Sequence, residues 1–213
     1  MEKKKVLLVG DSIRQGYGRY VKEHLQEQCE VYYPSENCRF SQYVLRHLSD
    51  WKNSLQLSDE LDLIHWNAGL WDTLEQYGDG CLTPPEFYAY FIEKICNRIQ
   101  LLFPRAKVIF ATSTPVLEER FSKNFCRKNA NIEKYNEIAI EICQRYGVAV
   151  NDLYAVAQKM PESFYKDAVH PYTPGGTQVL TDAVCRAICD SLGIPYTPFT
   201  LKEYEEICEV IGI

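Results

Sequence analysis

An α/β fold is predicted, a mostly parallel five-stranded sheet between two helical layers, and three observations predict it. Val6-Leu7-Leu8-Val9 is an unbroken apolar run of strand length that stops at Gly10-Asp11-Ser12, and such runs suit strands covered on both faces. Further runs of this kind alternate with longer segments whose apolar residues recur near a 3.6-residue period, the pattern of strands joined by amphipathic helices. The chain has 213 residues, 46% hydrophobic and 24% charged, enough for one domain with a substantial core. No repeat, low-complexity tract or linker interrupts it, so residues 1–213 are read as a single domain.

The elements follow in order. Lys3 to Lys5 lead into the first strand, and a helix through Tyr20, Val21 and Leu25 ends near Cys29. Val31-Tyr32-Tyr33 is a short second strand closed by Pro34. After the polar loop Ser35 to Ser41, the apolar positions Tyr43, Val44, Leu48, Trp51 and Leu55 make one helical stripe. Leu61 to Asn67 reads as a third strand that runs into the turn Ala68-Gly69-Leu70-Trp71-Asp72, and a loop containing Gly78 and Gly80 follows as a candidate site rim. Thr83-Pro84-Pro85-Glu86 has the form of a capping box opening a helix to Leu102. Lys107 to Ala111 is strand four. Thr112 to Asn129 is a long connection with Pro115 and several basic residues, suited to a binding loop or a solvated excursion. A helix over Ile132 to Arg145 stops at Gly147, and Val148-Ala149-Val150 is strand five. A short helix spans Leu153 to Lys159, a turn-rich loop Ser163 to Gly176, and a last core helix Thr177 to Leu192. Thr200-Leu201-Lys202-Glu203 reads as a second capping box, making 196–213 a helical extension.

Composition excludes several classes. A net charge of −6 argues against general affinity for nucleic-acid phosphate, and three N-terminal lysines are too few for a membrane tether. No apolar run approaches the roughly 20 residues of a membrane span, and no secretory signal is visible. The nine cysteines are an odd number without an export signal, which favours reduced thiols and a cytoplasmic setting. Cys185 and Cys189 have helical spacing and no nearby histidine, so no metal is expected. Gly16-Tyr17-Gly18 lacks the third glycine of a dinucleotide loop, and no Gly-Lys-Ser/Thr element exists, so no cofactor is expected either.

Three segments carry candidate chemistry. Ser12 stands where a strand's carboxyl end meets a turn, the edge at which ligands bind in open α/β sheets. It admits two readings, helix cap or nucleophile. Asp167-Ala168-Val169-His170 places a carboxylate three residues before an imidazole in a turn, so that Asp167 can hold Nδ1 of His170 and leave Nε2 free; a purely structural turn is the alternative, and Asp152 is a rival partner. Asn67, at the end of strand three, is either a turn residue or a donor to a developing oxyanion. The Ser12 N–H, and an N–H from the loop at Cys38 and Arg39, are further donor candidates. Cys38 is also a weaker rival nucleophile. The spaced Gly-x-Ser-x-Gly elbow of another hydrolase class is absent.

In order and spacing, Gly10-Asp11-Ser12, Asn67 in Asn67-Ala68-Gly69-Leu70-Trp71-Asp72, and Asp167-x-x-His170 resemble the SGNH, or GDSL-like, hydrolases over roughly Val6 to Leu192. The resemblance implies a flavodoxin-like three-layer fold and an esterase mechanism: Ser12 as nucleophile, His170 as base, Asp167 as its orienter, Asn67 in the oxyanion hole. One departure stands out, because Asn37-Cys38-Arg39-Phe40-Ser41 has no glycine where that family's second block usually has one. A main-chain N–H of Cys38 or Arg39 is expected to substitute.

The expected activity is hydrolysis of small acyl esters, acetyl above all, because no hydrophobic lid is evident. Trp66, Trp71, Tyr17, Phe40 and Tyr172 lie near the motifs and suit the flat walls of a sugar pocket, or equally core packing. Asp11, Trp71 and Asp72 are expected to bind substrate. A lysophospholipase or thioesterase with the same triad, and a non-catalytic binding protein on the same scaffold, are the competing classes. The expected partner is a small-molecule ester, with neither nucleic acid nor membrane.

Overall fold

The computed structural model describes residues 2–205. Five strands form one parallel sheet: β1 (Lys4–Val9), β2 (Cys29–Tyr32), β3 (Leu63–Trp66), β5 (Lys107–Ala111) and β7 (Ala149–Asn151), in the spatial order β2-β1-β3-β5-β7. The connections are α1 (Ser12–His24), α2 (Ser41–Ser54), α3 (Pro85–Leu102) and α4 (Asn129–Arg145), and after β7 come α5 (Leu153–Ala157) and α6 (Pro174–Leu192). Side chains alternate across a strand, and β1 supplies both cores. Leu7 and Val9 join Ile64, Trp66 and Phe110 under α2, α3 and α4. Val6 and Leu8 join Leu63, Ile109 and Ala111 under α1 and α6. All four apolar residues of β1 are fully buried, which is why the run is unbroken rather than alternating.

The strand order reverses between β1 and β3, with β2 outside one and β5 outside the other. Such a switch point opens a crevice at the carboxyl ends of the strands. Here it sets Ser12, the first residue after the β1 turn, against Asn67, which follows β3 and donates its N–H to Val9 O at 3.0 Å.

Two local readings are corrected and a third is extended. Thr83 does not cap α3: the cap position is Pro84, without a side-chain bond, and the Thr83 N–H donates to Asp72 O at 3.1 Å. The long Thr112–Asn129 connection contains a short strand, β6 (Phe125–Cys126), that pairs antiparallel with β4 (Glu75–Gln76); two-residue strands carry no periodicity a sequence can display. Residues 200–205 are not helical. Their groups are taken by other elements: Leu201 N–H donates to Gln178 Oε1 at 3.2 Å, and Glu205 N–H to Tyr20 Oη at 3.0 Å. A short isolated helix is marginal, and tertiary contacts outcompete it. The rest of the expected terminal helix lies outside the described residues.

Candidate active site

The first turn of α1 holds Ser12. Asp11 caps it, its Oδ1 accepting the Ile13 N–H at 2.9 Å, so Asp11 performs the capping that either residue of the turn was able to provide. Gly10 permits the close approach of β1 and β3: a Cβ there would lie 2.0 Å from Asn67 Oδ1 and 2.7 Å from Arg14 Cβ.

The loop before α6 carries the partners. Asp167 Oδ1 accepts the N–H groups of Val169 (2.7 Å) and His170 (2.8 Å), which closes a tight turn and fixes the carboxylate. Its Oδ2 lies 2.8 Å from His170 Nδ1. On the other side of the ring, His170 Nε2 lies 2.8 Å from Ser12 Oγ. Burial alone would raise the Asp167 carboxyl, but the hydrogen bond and charge of His170, with the two backbone N–H groups, hold it below the ordinary carboxylate value. Tyr172 braces the arrangement. Its hydroxyl donates to the Ser12 carbonyl, and its ring packs on His170 at a centroid distance of 4.7 Å. The ring has room because residue 16 is glycine; a Cβ there would meet it at 2.5 Å.

A cleft of about 280 Å³ adjoins these residues, lined by Ser12, Asp167, His170, Leu70, Trp71 and the segment from Arg120 to Arg127 among others. Trp71 is where a substrate-binding residue was expected. Asp11 and Asp72 are not, since both are fully buried. Burial raises the Asp11 carboxyl, opposed by the Ile13 N–H, the Asn67 amide and the charges of His170 and Arg127. Asp72 ties α2 to the loop, accepting the Ser41 N–H and, at 2.5 Å, the Ser41 hydroxyl; burial pushes its carboxyl up to about 6.

The second-loop donors need amending. Cys38 N–H is spent on Gly10 O at 3.1 Å, and Arg39 N–H on Asn37 Oδ1 at 2.8 Å. Arg39 itself has φ +52°, a left-handed conformation that glycine adopts without strain, within the Asn37–Ser41 block in which the resemblance leads one to expect a glycine. Cys38 is no rival nucleophile: it is fully buried, and burial pushes its thiol up to about 11, whereas attack needs the thiolate. Asp152 is no rival orienter, since it caps α5 and accepts the Thr112 hydroxyl at 3.0 Å. Of the aromatic candidates, Trp66 and Tyr17 are core residues with at most 1% exposure.

Sequence reasoning missed Arg127 and Phe125. The basic character of their segment was visible, but its fold back onto β4 beside the cleft was not. Among the described residues no group of three or more His, Cys, Asp or Glu side chains is placed to hold a metal ion, and no helix is long and apolar enough to cross a membrane.

Comparison with known proteins gives a family and a fold. The profile of the GDSL-like Lipase/Acylhydrolase family matches residues 8–177. A GDSL esterase/lipase of Arabidopsis thaliana is 26% identical over 121 residues, 52% of this chain and 47% of that protein; the match thus spans about half of that relative's length. Among solved structures, a lipase/acylhydrolase from Enterococcus faecalis superposes with a TM-score of 0.70 at 18% identity, covering 93% of this chain and 100% of the other. An acetylxylan esterase from Geobacillus stearothermophilus gives 0.65 at 16% identity, covering 90% and 95%. At such identities the two structures speak for the fold alone.

Proposed function

The chain belongs to the GDSL-like lipase/acylhydrolase family, and from that premise we propose that it is a serine esterase acting on small acyl esters, acetyl in particular, on carbohydrate-like alcohols. The observation that carries this reading is the unbroken line of contacts from Asp167 to His170 to Ser12 at the switch point of the sheet. A serine hydroxyl is a weak nucleophile until a base takes its proton, and the base works best in a fixed tautomer. In this reading Asp167 holds Nδ1 protonated, and Nε2 accepts the Ser12 proton as Oγ attacks the ester carbonyl. The tetrahedral oxyanion forms beside the first turn of α1, where helix N–H groups have no intrahelical acceptor, and the Ser12 N–H and the Asn67 amide stabilise it. His170 then protonates the departing alcohol, and a water activated by the same base releases the acid.

The cleft supports a short acyl group. At about 280 Å³ it is at or below the small end of ligand pockets, roughly 300 Å³, with Trp71 as a flat wall. Acetylxylan esterases among the structural neighbours are in keeping with acetyl esters of sugars. Labelling with a serine-directed fluorophosphonate, followed by peptide mass analysis, tests the reaction class: an adduct at Ser12 that His170→Ala abolishes is expected, and its absence would overturn the reading. A p-nitrophenyl ester series tests the acyl length. Activity that falls sharply beyond butyrate is expected, and flat or rising activity would favour a lysophospholipase or thioesterase.

A further inference from the structure

The cleft beside Ser12 contains a buried cation whose charge is unpaired. Arg127 is only 4% exposed, yet it lines the cleft together with Ser12 and His170. Its Nε donates to Leu70 O at 2.6 Å, and its guanidinium lies over the Trp71 ring, 6.0 Å from the centroid. These two contacts hold the plane of the group. They leave its terminal nitrogens without a protein acceptor among the described residues, and no carboxylate there forms an ion pair with it. Asp11 and Asp167 act on it only through space. Burial lowers its pKa to about 10, which leaves it charged at neutral pH. An isolated buried charge is costly unless something pairs with it, and a guanidinium with free terminal nitrogens is shaped for a planar oxyanion. Arg120 stands at the rim of the same cleft, with Nη1 3.4 Å from Asp167 O and Nη2 3.6 Å from the exposed Glu162 carboxylate, so its charge is partly met by an ion pair.

We propose that Arg127, assisted by Arg120, binds a carboxylate borne by the substrate close to its scissile ester, so that the preferred substrates are esters of acidic rather than neutral compounds. The inference rests on the esterase reading and names the substrate class of that site. Ser12 and Arg127 share a cleft that as a sphere would be roughly 8 Å across, so the carboxylate lies only a few bonds from the ester. It belongs either to the alcohol, as in an acetylated acidic sugar, or to the acyl group, as in a hemiester.

Two matched pairs test this. One is an O-acetylated methyl glucuronoside against its carboxyl methyl ester; the other is p-nitrophenyl hemiglutarate against p-nitrophenyl butyrate. In the unaltered protein the acid is expected to exceed its neutral twin in kcat/KM by about tenfold or more in one pair, and which pair tells the source of the carboxylate. In Arg127→Gln that ratio should fall to about one, mainly through KM. A merely structural role for Arg127 would lower both members of a pair together. A ratio at or below one in both pairs, or a high ratio that survives Arg127→Gln, overturns the inference and leaves the esterase reading intact. Turnover of no ester, with no fluorophosphonate adduct at Ser12, overturns the esterase reading itself. If Arg127→Gln does not fold, the unaltered protein decides. Competitive inhibition of neutral-ester turnover by free glucuronate or by free glutarate, and not by the corresponding methyl esters, supports the inference, and equal or absent inhibition by both acids overturns it.

Discussion

His170 Nε2 lies 2.8 Å from Ser12 Oγ across 158 residues of sequence, one proton transfer apart. Under the proposed mechanism, Ser12→Ala and His170→Ala each lower kcat on p-nitrophenyl acetate by on the order of 10³-fold or more, and the double variant is scarcely worse than either single one, because the pair acts as a unit. Additive losses in steady-state kinetics would contradict this.

Asp167→Asn removes the charge that favours protonated Nδ1, and kcat is expected to drop on the order of 10³- to 10⁴-fold. Stability gives an independent reading. The Asp167 carboxyl is held below its ordinary value in the folded protein, so its stabilising contribution is present above the ordinary carboxylate range and is lost as pH falls through the folded-state value. The melting-temperature gap between wild type and D167N should therefore narrow in acid.

Gly10→Ala would drive a methyl group into Asn67 Oδ1 and Arg14 Cβ. Overpacking of this kind costs about 1–3 kcal/mol, and here it displaces the proposed oxyanion donor. Urea denaturation should show that loss, and kcat should fall more steeply than stability alone explains, on the order of 10²-fold. Unchanged kcat would separate Asn67 from the chemistry.

Tyr172→Phe keeps the ring on His170 but deletes the hydroxyl that donates to the Ser12 carbonyl. A lost buried hydrogen bond costs about 1–3 kcal/mol. Tyr172 acts through Ser12 rather than on substrate, so kcat should fall severalfold while KM stays near its original value. A rise in KM alone would make it a substrate contact instead.

Two buried groups oppose one another in acid. Burial depresses the His65 imidazole to about 4, so the stability it contributes is present above its ordinary 6.5 and is lost as pH falls towards 4. Burial raises the Asp72 carboxyl from 3.8 to about 6, so its contribution is present below 3.8 and is lost as pH rises through 6. Each shift of two units or more corresponds to about 3 kcal/mol, and in wild type the two largely offset. Denaturation curves between pH 4 and 7 should show His65→Gln losing stability as pH rises and Asp72→Asn gaining it. Parallel curves would show that neither group titrates as described.

Much of the fold was legible because burial writes itself into the chain at a known period. The runs Val6 to Val9 and Leu63 to Trp66 announce strands covered on both faces, and the stripe Val44, Leu48, Trp51 announces a helix with one buried side. Ser12, Asn67, Asp167 and His170 were legible for a related reason: the first two stand where a strand ends and the last two within a tight turn, where local chemistry shows in the sequence. Asp72 and Asp11 were misread on the same grounds, since a carboxylate in a turn looks alike whether it meets water, caps a helix or ties a helix to a loop. The N–H groups of Cys38 and Arg39, expected to be free for a substrate, are taken by Gly10 O and Asn37 Oδ1, because the fate of one N–H depends on which acceptor the fold brings to it.

By itself the sequence determined the strand and helix order, the Asp167–His170 turn and the glycine at position 10, all set by periodicity or by contacts within a few residues. Only the tertiary structure decided that Cys38 N–H meets Gly10 O, that residues 200–205 lie along α1 and α6 rather than coiling, and that Arg127 comes to rest beside Ser12. Those contacts join residues remote in the chain, and each is chosen by competition among all the partners that packing brings within reach, a quantity no local pattern encodes.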